Sequence, residues 1–421
     1  MKVVEIVTTH AREPEDIVPF EKTIEDTGVS YRKIVEILSK THKTFIKLTE
    51  AYKVVDVTTS RIGLTTGFLS QIYNVMFHFS NGQAVSVIAK IPLVGGIDAI
   101  CGADGEVNPP PADEKPNAHS IECEFYDQFS YMRDVPLPKV YYTEKITPSD
   151  KGLILMENLS LRSDTPGFYK GATEEQCYSL ARAVAHYQFC AAAPRHQPWW
   201  RQFHDNIHTE FDMNLVKPLW GFAHTIEEFK DVLHLAEPYQ NKEFWTYALR
   251  ERAAEYNAIS MCHGDTQPNN LMFKLKKDGT MSDELLAIID WQLVFYASAP
   301  FDLARFICMG VDWSVREQCE TKVFDVYYNT LSDLYAKSCQ KPPFTYAQGL
   351  ELYHLTLMHQ GVQAVMYVSM IALKLQQSNH VEPLFPILVN RVRDVVLRTA
   401  ELGKMYNLER FAQFSSWTKD L

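Results

Sequence analysis

The period of the sequence changes along its length. Between residues 52 and 92 the runs "YKVVDVTTS", "QIYNVMFHFS" and "QAVSVIAKIP" are rich in β-branched and aromatic residues, and "SNGQ" separates the last two. Such runs around an Asn-Gly turn predict antiparallel strands joined by a tight hairpin. From about Leu159 onward the apolar spacing becomes helical. "TEEQCYSLARAVAHYQFCAAA" opens on Thr173 with acids behind it, and residues 344–402 hold two or three long helices. A small β-rich lobe therefore precedes a larger α-rich one. At 421 residues the chain exceeds the usual size for one hydrophobic core, so two lobes with a ligand cleft between them are expected.

Residues 30–51 place Ile34, Ile37, Leu38 and Phe45 near helical spacing and predict a leading helix. The Gly/Pro/Asp-rich segment that follows Pro92 reads as a long loop. After it, "HSIECEFYDQFSYM" puts Ile121, Phe125, Phe129 and Met132 on one helical stripe. "KVYYTEK" and "KGLILMENLS" read as a further strand pair. The net charge of −11 and the lack of a basic patch argue against nucleic acid as a partner. The opening residues lack a signal peptide's apolar region, and no 18 uninterrupted apolar residues occur, so a soluble cytoplasmic protein without a membrane partner is expected. The eight cysteines are scattered without a C-x-x-C and read as reduced thiols.

The stretch "MCHGDTQPNNLMF", Met261–Phe273, sets a His, an Asp and two Asn residues in an apolar frame. Asp265 and Asn270 stand five apart, the spacing of the phosphoryl-transfer loop H-R-D-x-x-x-x-N. In that loop a carboxylate accepts a hydroxyl proton while an amide oxygen holds a metal ion on phosphate. Twenty residues beyond Asn270, the apolar run "LLAIIDWQ" ends in Asp290, a place suited to a second ligand for magnesium. Taken alone, H-G-D is as readily a turn stabilised by its own Asp; the carboxylate at the later strand end weighs against that.

Other features fall in the same order. Lys90 closes the apolar strand "SVIAKIP", where its ammonium suits nucleotide phosphates, although a solvated edge lysine would read alike. Glu122 and Glu124 on the following helix both offer it a carboxylate, and helical spacing leaves the choice open. Gly63 and Gly67 lie between strands where a glycine turn suits a triphosphate. Glu157 and Asn158 end the strand "LILMENLS", where backbone groups of a lobe-connecting hinge would meet adenine.

The order Gly67, Ser70, Lys90, Glu122, "LILMENLS", "CHGDTQPNN", "IIDWQ" and "PFDLARF" resembles the ecdysteroid kinase-like and CHK (choline-kinase-like) family, of the choline and aminoglycoside phosphotransferase group, over roughly residues 55–400. The resemblance implies an α+β, two-lobed protein-kinase-like fold, with a small antiparallel-β N-lobe over 1–157 and a larger mainly helical C-lobe over 158–421. It implies ATP and Mg2+ as cofactors, and phosphorylation of a hydroxyl on a steroid, glycoside, amino alcohol or similar small molecule. By the same match Asp265 is the catalytic base, Asn270 and Asp290 are the metal ligands, and Lys90 contacts phosphate. "ECEFY" selects Glu122 as the lysine partner, and Gly67, Ser70, Glu157 and Asn158 complete the nucleotide site. "DTQPNN" departs from the Trp-containing stretch expected after H-G-D, which bears on the substrate wall. Asn269 beside Asn270 is a competing amide, but the spacing favours Asn270.

A protein acceptor is disfavoured. About ten residues separate Asp290 from "PFDLARF" and no A-P-E follows, which leaves no room for a peptide-docking activation loop. Gly264 also stands where protein kinases carry the Arg that receives an activation-loop phosphate. Trp199, Trp200 and Trp291 suit an acceptor pocket, against core packing as the commoner fate of a Trp. Asp302 is expected to cap a helix or brace the catalytic loop. His204 and His208 have metal-ligand spacing, but Asp205 stands where H-E-x-x-H needs Glu. The rival reading is a catalytically silent kinase-like ligand-binding protein. A third, an aminoglycoside-modifying enzyme, needs an acidic pocket. A monomer is expected.

Overall fold

The structure is a computed structural model that describes residues 20–62, 70–93, 118–132, 134–147, 150–192, 208–209, 213–377 and 382–415, together with the backbone of 6–8. The chain divides into two compact units that change over at Ser163/Asp164, with Met132–Pro136 counted in the second. The sequence reading placed the boundary at 157/158.

In the first unit, β1 (Ile6–Thr8), β2 (Val54–Ile62), β3 (Ser70–Phe79), β4 (Gln83–Pro92), β5 (Val140–Glu144) and β6 (Leu153–Glu157) form one sheet in the order β2-β3-β4-β6-β5, with β1 beside β4. Every recorded pairing is antiparallel. The expected hairpin turn joins β3 to β4, where Gly82 takes φ +82° and Asn81 Oδ1 accepts from Gln83 N at 3.0 Å. Alternation then sorts the two faces. Tyr73, Val75, Phe77 and Phe79 of β3 and Val85, Val87, Ala89 and Ile91 of β4 enter one core with Ile34, Leu38, Phe45 and Leu48. Those four come from α1 (Tyr31–Thr41) and α2 (Lys43–Ala51). The intervening positions, Ser70, Asn74, Ser86 and Lys90, therefore share the opposite face.

One leading helix was expected over 30–51, and the structure has two. At His42 the backbone leaves the helical region (φ −103°, ψ 100°), and its Nδ1 accepts from Phe45 N at 3.0 Å, so the side chain starts α2 where α1 ends. The apolar period continues through the break, which hides it from a periodicity argument. The stripe Ile121, Phe125, Phe129 and Met132 is buried, on and just beyond α3 (Ala118–Phe129).

The second unit is mainly helical. Its described helices include α4 (Glu174–Ala192), α5 (Met213–Ala223), α6 (Phe301–Gly310), α7 (Trp313–Lys337), α8 (Tyr346–Gln377) and α9 (Phe385–Met405). Two small antiparallel pairs interrupt them: β7 (Ile259–Cys262) with β10 (Phe295–Ser298), and β8 (Leu271–Leu275) with β9 (Met281–Ile288). Every residue of α6, "FDLARFICMG", is buried. A helix apolar on all sides is an interior helix, so its two charged residues, Asp302 and Arg305, must find partners there. No described helix is long and apolar enough to cross a membrane.

Buried imidazoles give the fold an acid limit. His119 on α3 bonds the Glu144 carbonyl at 2.8 Å, and His354 on α8 bonds the Tyr406 hydroxyl at 2.8 Å; burial pushes each down to about 4. Unfolded, a histidine titrates near 6.5. A folded value below the unfolded one means that stability is full above roughly pH 6.5 and is lost as pH falls toward about 4. Asp302, pushed up to about 6 by burial, works in the opposite sense, as do the raised carboxyls of Asp265 and Asp394, but they stand against five lowered imidazoles, those of His119, His186, His208, His354 and His359. The thermal midpoint is expected to fall between pH 7 and pH 5, and to fall less in His354→Gln. A flat profile, or an unchanged slope in the variant, would count against this account.

Candidate active site

The catalytic-loop candidate lies between β7 and β8. β7 delivers His263 directly after Cys262, and a short helical turn, Pro268–Asn270, leads into β8. Gly264 takes φ +85°, and a Cβ built on it would overlap the carbonyl oxygen of Leu293 and lie 3.0 Å from that carbonyl's carbon. The loop can follow this path only with glycine at 264.

Within the loop, Asn270 Nδ2 donates to the Asp265 carbonyl at 2.8 Å and to Asp265 Oδ2 at 3.1 Å. With both bonds made through nitrogen, the amide presents its oxygen to the other side. Asp290 follows β9 in the left-handed region, at φ +68° and ψ +60°, a conformation that costs energy for a residue with a Cβ and is enriched at functional sites. Burial raises the Asp265 carboxyl above its ordinary value; the Arg305 guanidinium opposes this, and the charge of Asp290 adds to it. The three polar residues picked from separate parts of the sequence thus gather in one neighbourhood of the second unit.

His263 ties that neighbourhood together. Its Nδ1 accepts the Asp265 N–H at 3.1 Å, which leaves Nε2–H to donate to the Ile289 carbonyl at 3.0 Å. The ring is a neutral bridge between the loop and the residue before Asp290. Asp302 braces the same loop from α6: Oδ2 accepts from His263 N at 2.7 Å and Oδ1 from Gly264 N at 3.0 Å, while Tyr187 donates to Oδ2. It caps no helix, so of the two roles expected for it the structure has the brace. His208 bonds the Gly264 carbonyl at 2.6 Å through Nε2; its companion His204 lies outside the described residues.

In the first unit, Lys90 Nζ meets Glu122 Oε2 at 2.5 Å, with both side chains buried. The spacing could not choose between the two acids, and the geometry chooses Glu122, because Glu124 is paired with Lys145. Ser70 is buried at the start of β3, two residues from Ile72, the cross-strand partner of Lys90, and so on the same face. Asn158 Nδ2 donates to Ser86 Oγ at 2.7 Å and to Asn74 Oδ1 at 3.2 Å. Glu157 is paired with Arg162, and its own N–H already donates to the Lys139 carbonyl at 2.9 Å. That removes the Glu157 N–H from the backbone groups expected to meet adenine. Gly63, Gly67, Trp199, Trp200 and the segment 94–117 lie outside the described residues.

Of the two fates weighed for Trp291, the structure has the commoner one, core packing. The residue has no exposed surface, donates from Nε1 to the Ile288 carbonyl at 3.0 Å, and packs edge-on against Tyr187 and His263. It is a core residue under the loop rather than a pocket wall. The sequence reading missed Arg305 and the bridging role of His263. Arg305 was findable, since a charge one turn after Asp302 on an all-apolar helix has to be paired.

Among the described residues no group of three or more His, Cys, Asp or Glu side chains is gathered as a metal centre. Asn270 and Asp290 alone would leave a cation most of its coordination to fill, as suits magnesium, which keeps waters and substrate phosphate oxygens. The donor set fits that ion in company with phosphate.

Comparison with known proteins gives relatives of both names and folds. "Uncharacterized oxidoreductase dhs-27" of Caenorhabditis elegans is 24% identical over 329 residues, which are 74% of this chain but 39% of that protein, so the chain spans about two fifths of its length. "Uncharacterized kinase-like protein D1044.1" of the same worm is 22% identical over 338 residues, 76% of this chain and 85% of that one. Among solved structures, an ethanolamine kinase of Plasmodium vivax has a TM-score of 0.43 at 10% identity, covering 87% of this chain and 88% of its own. A choline/ethanolamine kinase family protein of Mesorhizobium loti has 0.39 at 11%, covering 91% and 98%. The family model described as "Uncharacterized oxidoreductase dhs-27", DUF1679, matches residues 112–385, more than half of the chain, and the protein belongs to that kinase-like family.

Proposed function

We propose that the protein is an ATP-dependent kinase of small molecules, transferring the γ-phosphoryl group to an acceptor hydroxyl. The observation that carries this reading is the gathering of Asp265, Asn270 and Asp290 by His263 and Asp302, with a separately buried Lys90–Glu122 pair. Lys90, oriented by Glu122, holds nucleotide phosphates. Asn270 and Asp290 hold magnesium, which when bound neutralises charge on the phosphates. Asp265 orients the acceptor hydroxyl and takes its proton. Ser70 and the backbone near Asn158 belong to the nucleotide site.

The word oxidoreductase in the family description belongs to a longer protein, of which this chain matches a part. The sequence has no Gly-x-Gly anywhere, so the dinucleotide fingerprint G-x-G-x-x-G is absent. The recorded strand pairings of the first unit are antiparallel rather than the parallel order of a dinucleotide fold.

Magnesium-ATP at a hundredfold excess over its Kd is expected to stabilise the protein by about 2.7 kcal/mol, read as a rise in thermal midpoint. Incubation with ATP and a mixed extract of steroids, glycosides, nucleosides and amino alcohols is expected to release ADP and add one phosphate to an acceptor, detected by mass. Binding of ATP with no ADP released from any mixture would favour the silent ligand-binding protein, and no response to nucleotide would remove the proposal.

A further inference from the structure

One buried charge beside the Asp265 loop has no part in the roles assigned so far. Arg305 is buried on α6, one turn after Asp302. Its Nη2 donates to Asp265 Oδ1 at 3.0 Å and its Nη1 to Gln360 Oε1 of α8 at 3.2 Å, while the guanidinium lies 5.7 Å from the Tyr367 ring centre. Its Nε is buried without a hydrogen-bond partner among the described residues. Tyr367, also on α8, donates to Gln267 Oε1 of the loop at 3.0 Å.

Asp302 and Arg305 thus grip three consecutive loop residues: the first holds the amides of His263 and Gly264, the second the carboxylate of Asp265. A carboxylate held at one oxygen loses its freedom to rotate. The flat guanidinium fork reaches Gln360 and Asp265 at once, which fixes its own plane, and an ammonium cannot reproduce that.

We infer that Arg305 is a positioning residue for phosphoryl transfer: by holding Asp265 Oδ1 it turns Oδ2, which Asn270 also orients, toward the entering hydroxyl. The inference rests on Asp265 being the base. In the step, the acceptor oxygen bonds to the γ-phosphorus, the bond from that phosphorus to the β–γ bridging oxygen breaks, and the hydroxyl proton passes to Asp265 as ADP leaves. With water as acceptor the products are ADP, inorganic phosphate and a proton. Arg305 exchanges no proton; it acts through the aim of Asp265.

The test uses the full chain with magnesium-ATP alone, water serving as acceptor, and follows ADP. Arg305→Gln is expected to lower kcat about 100-fold, the order of loss that misplacing a reacting group brings, with KM for magnesium-ATP within about twofold. Arg305→Lys, which keeps the charge but not the fork, should fall between. Arg305→Ala should regain turnover when guanidinium ion is added at non-denaturing concentration, which a purely structural role would not give. Arg305→Gln turning over like wild type, beside an inactive Asp265→Asn, overturns the role of Arg305 and leaves the base in place. A fully active Asp265→Asn overturns the base reading, and this inference with it. Should the Gln variant fail to fold, Arg305→Lys decides: folded with lowered kcat and unchanged KM supports the inference, and folded with wild-type kcat overturns it.

Discussion

Asp265→Asn is expected to reduce ATP turnover by about three orders of magnitude, within the range that a positioned base supplies. The amide keeps the shape of the carboxylate and can still accept from Arg305, but it takes no proton. Stability is a poor readout for this change. The substitution removes a charge that burial and Asp290 both disfavour, yet it strips Arg305 of its counter-ion, and these effects oppose each other. Turnover should therefore be measured as ADP release at saturating magnesium-ATP, with binding checked separately by thermal shift. Unchanged turnover in a variant that still binds nucleotide would remove Asp265 from the chemistry.

The second large effect is expected at Gly264, through geometry rather than charge. Alanine there must adopt φ +85° and place its Cβ into the backbone carbonyl of Leu293. A backbone group cannot step aside as a flexible side chain can, so the loop or the Trp291–Leu293 turn has to move. A loss of at least about 3 kcal/mol is expected, the scale of overpacking added to backbone strain, along with loss of turnover by 100-fold or more. Chemical denaturation and ADP release would measure the two. An alanine variant that melts and turns over as wild type would show that the loop has another path. The same geometry explains what the sequence shows only as an omission. The Arg that protein kinases carry at this position is absent because no side chain of any kind fits there.

Much of this was legible from residue order. The strands over 52–92 announced themselves by β-branched runs and an Asn-Gly turn, and the third emerged with its bounds unchanged at Gln83–Pro92. Asp265, Asn270 and Asp290 were findable because a spacing and a strand end mark them. What escaped depends on distance in space. Helical periodicity runs straight through His42, so only the cap geometry reveals two helices. Glu122 and Glu124 differ by their partners, Lys90 and Lys145, which no spacing encodes. Trp291 looks the same in a sequence whether it lines a pocket or, as here, fills a core.

The fastenings of the Asp265 loop come from inside the second unit: Asp302 and Arg305 on α6, Gln360 and Tyr367 on α8, and His208. None of them waits for an incoming molecule to complete it. If Asp265 acts as the base, its trigger stands assembled at rest, and surfaces that choose the acceptor are free to drift without loosening it.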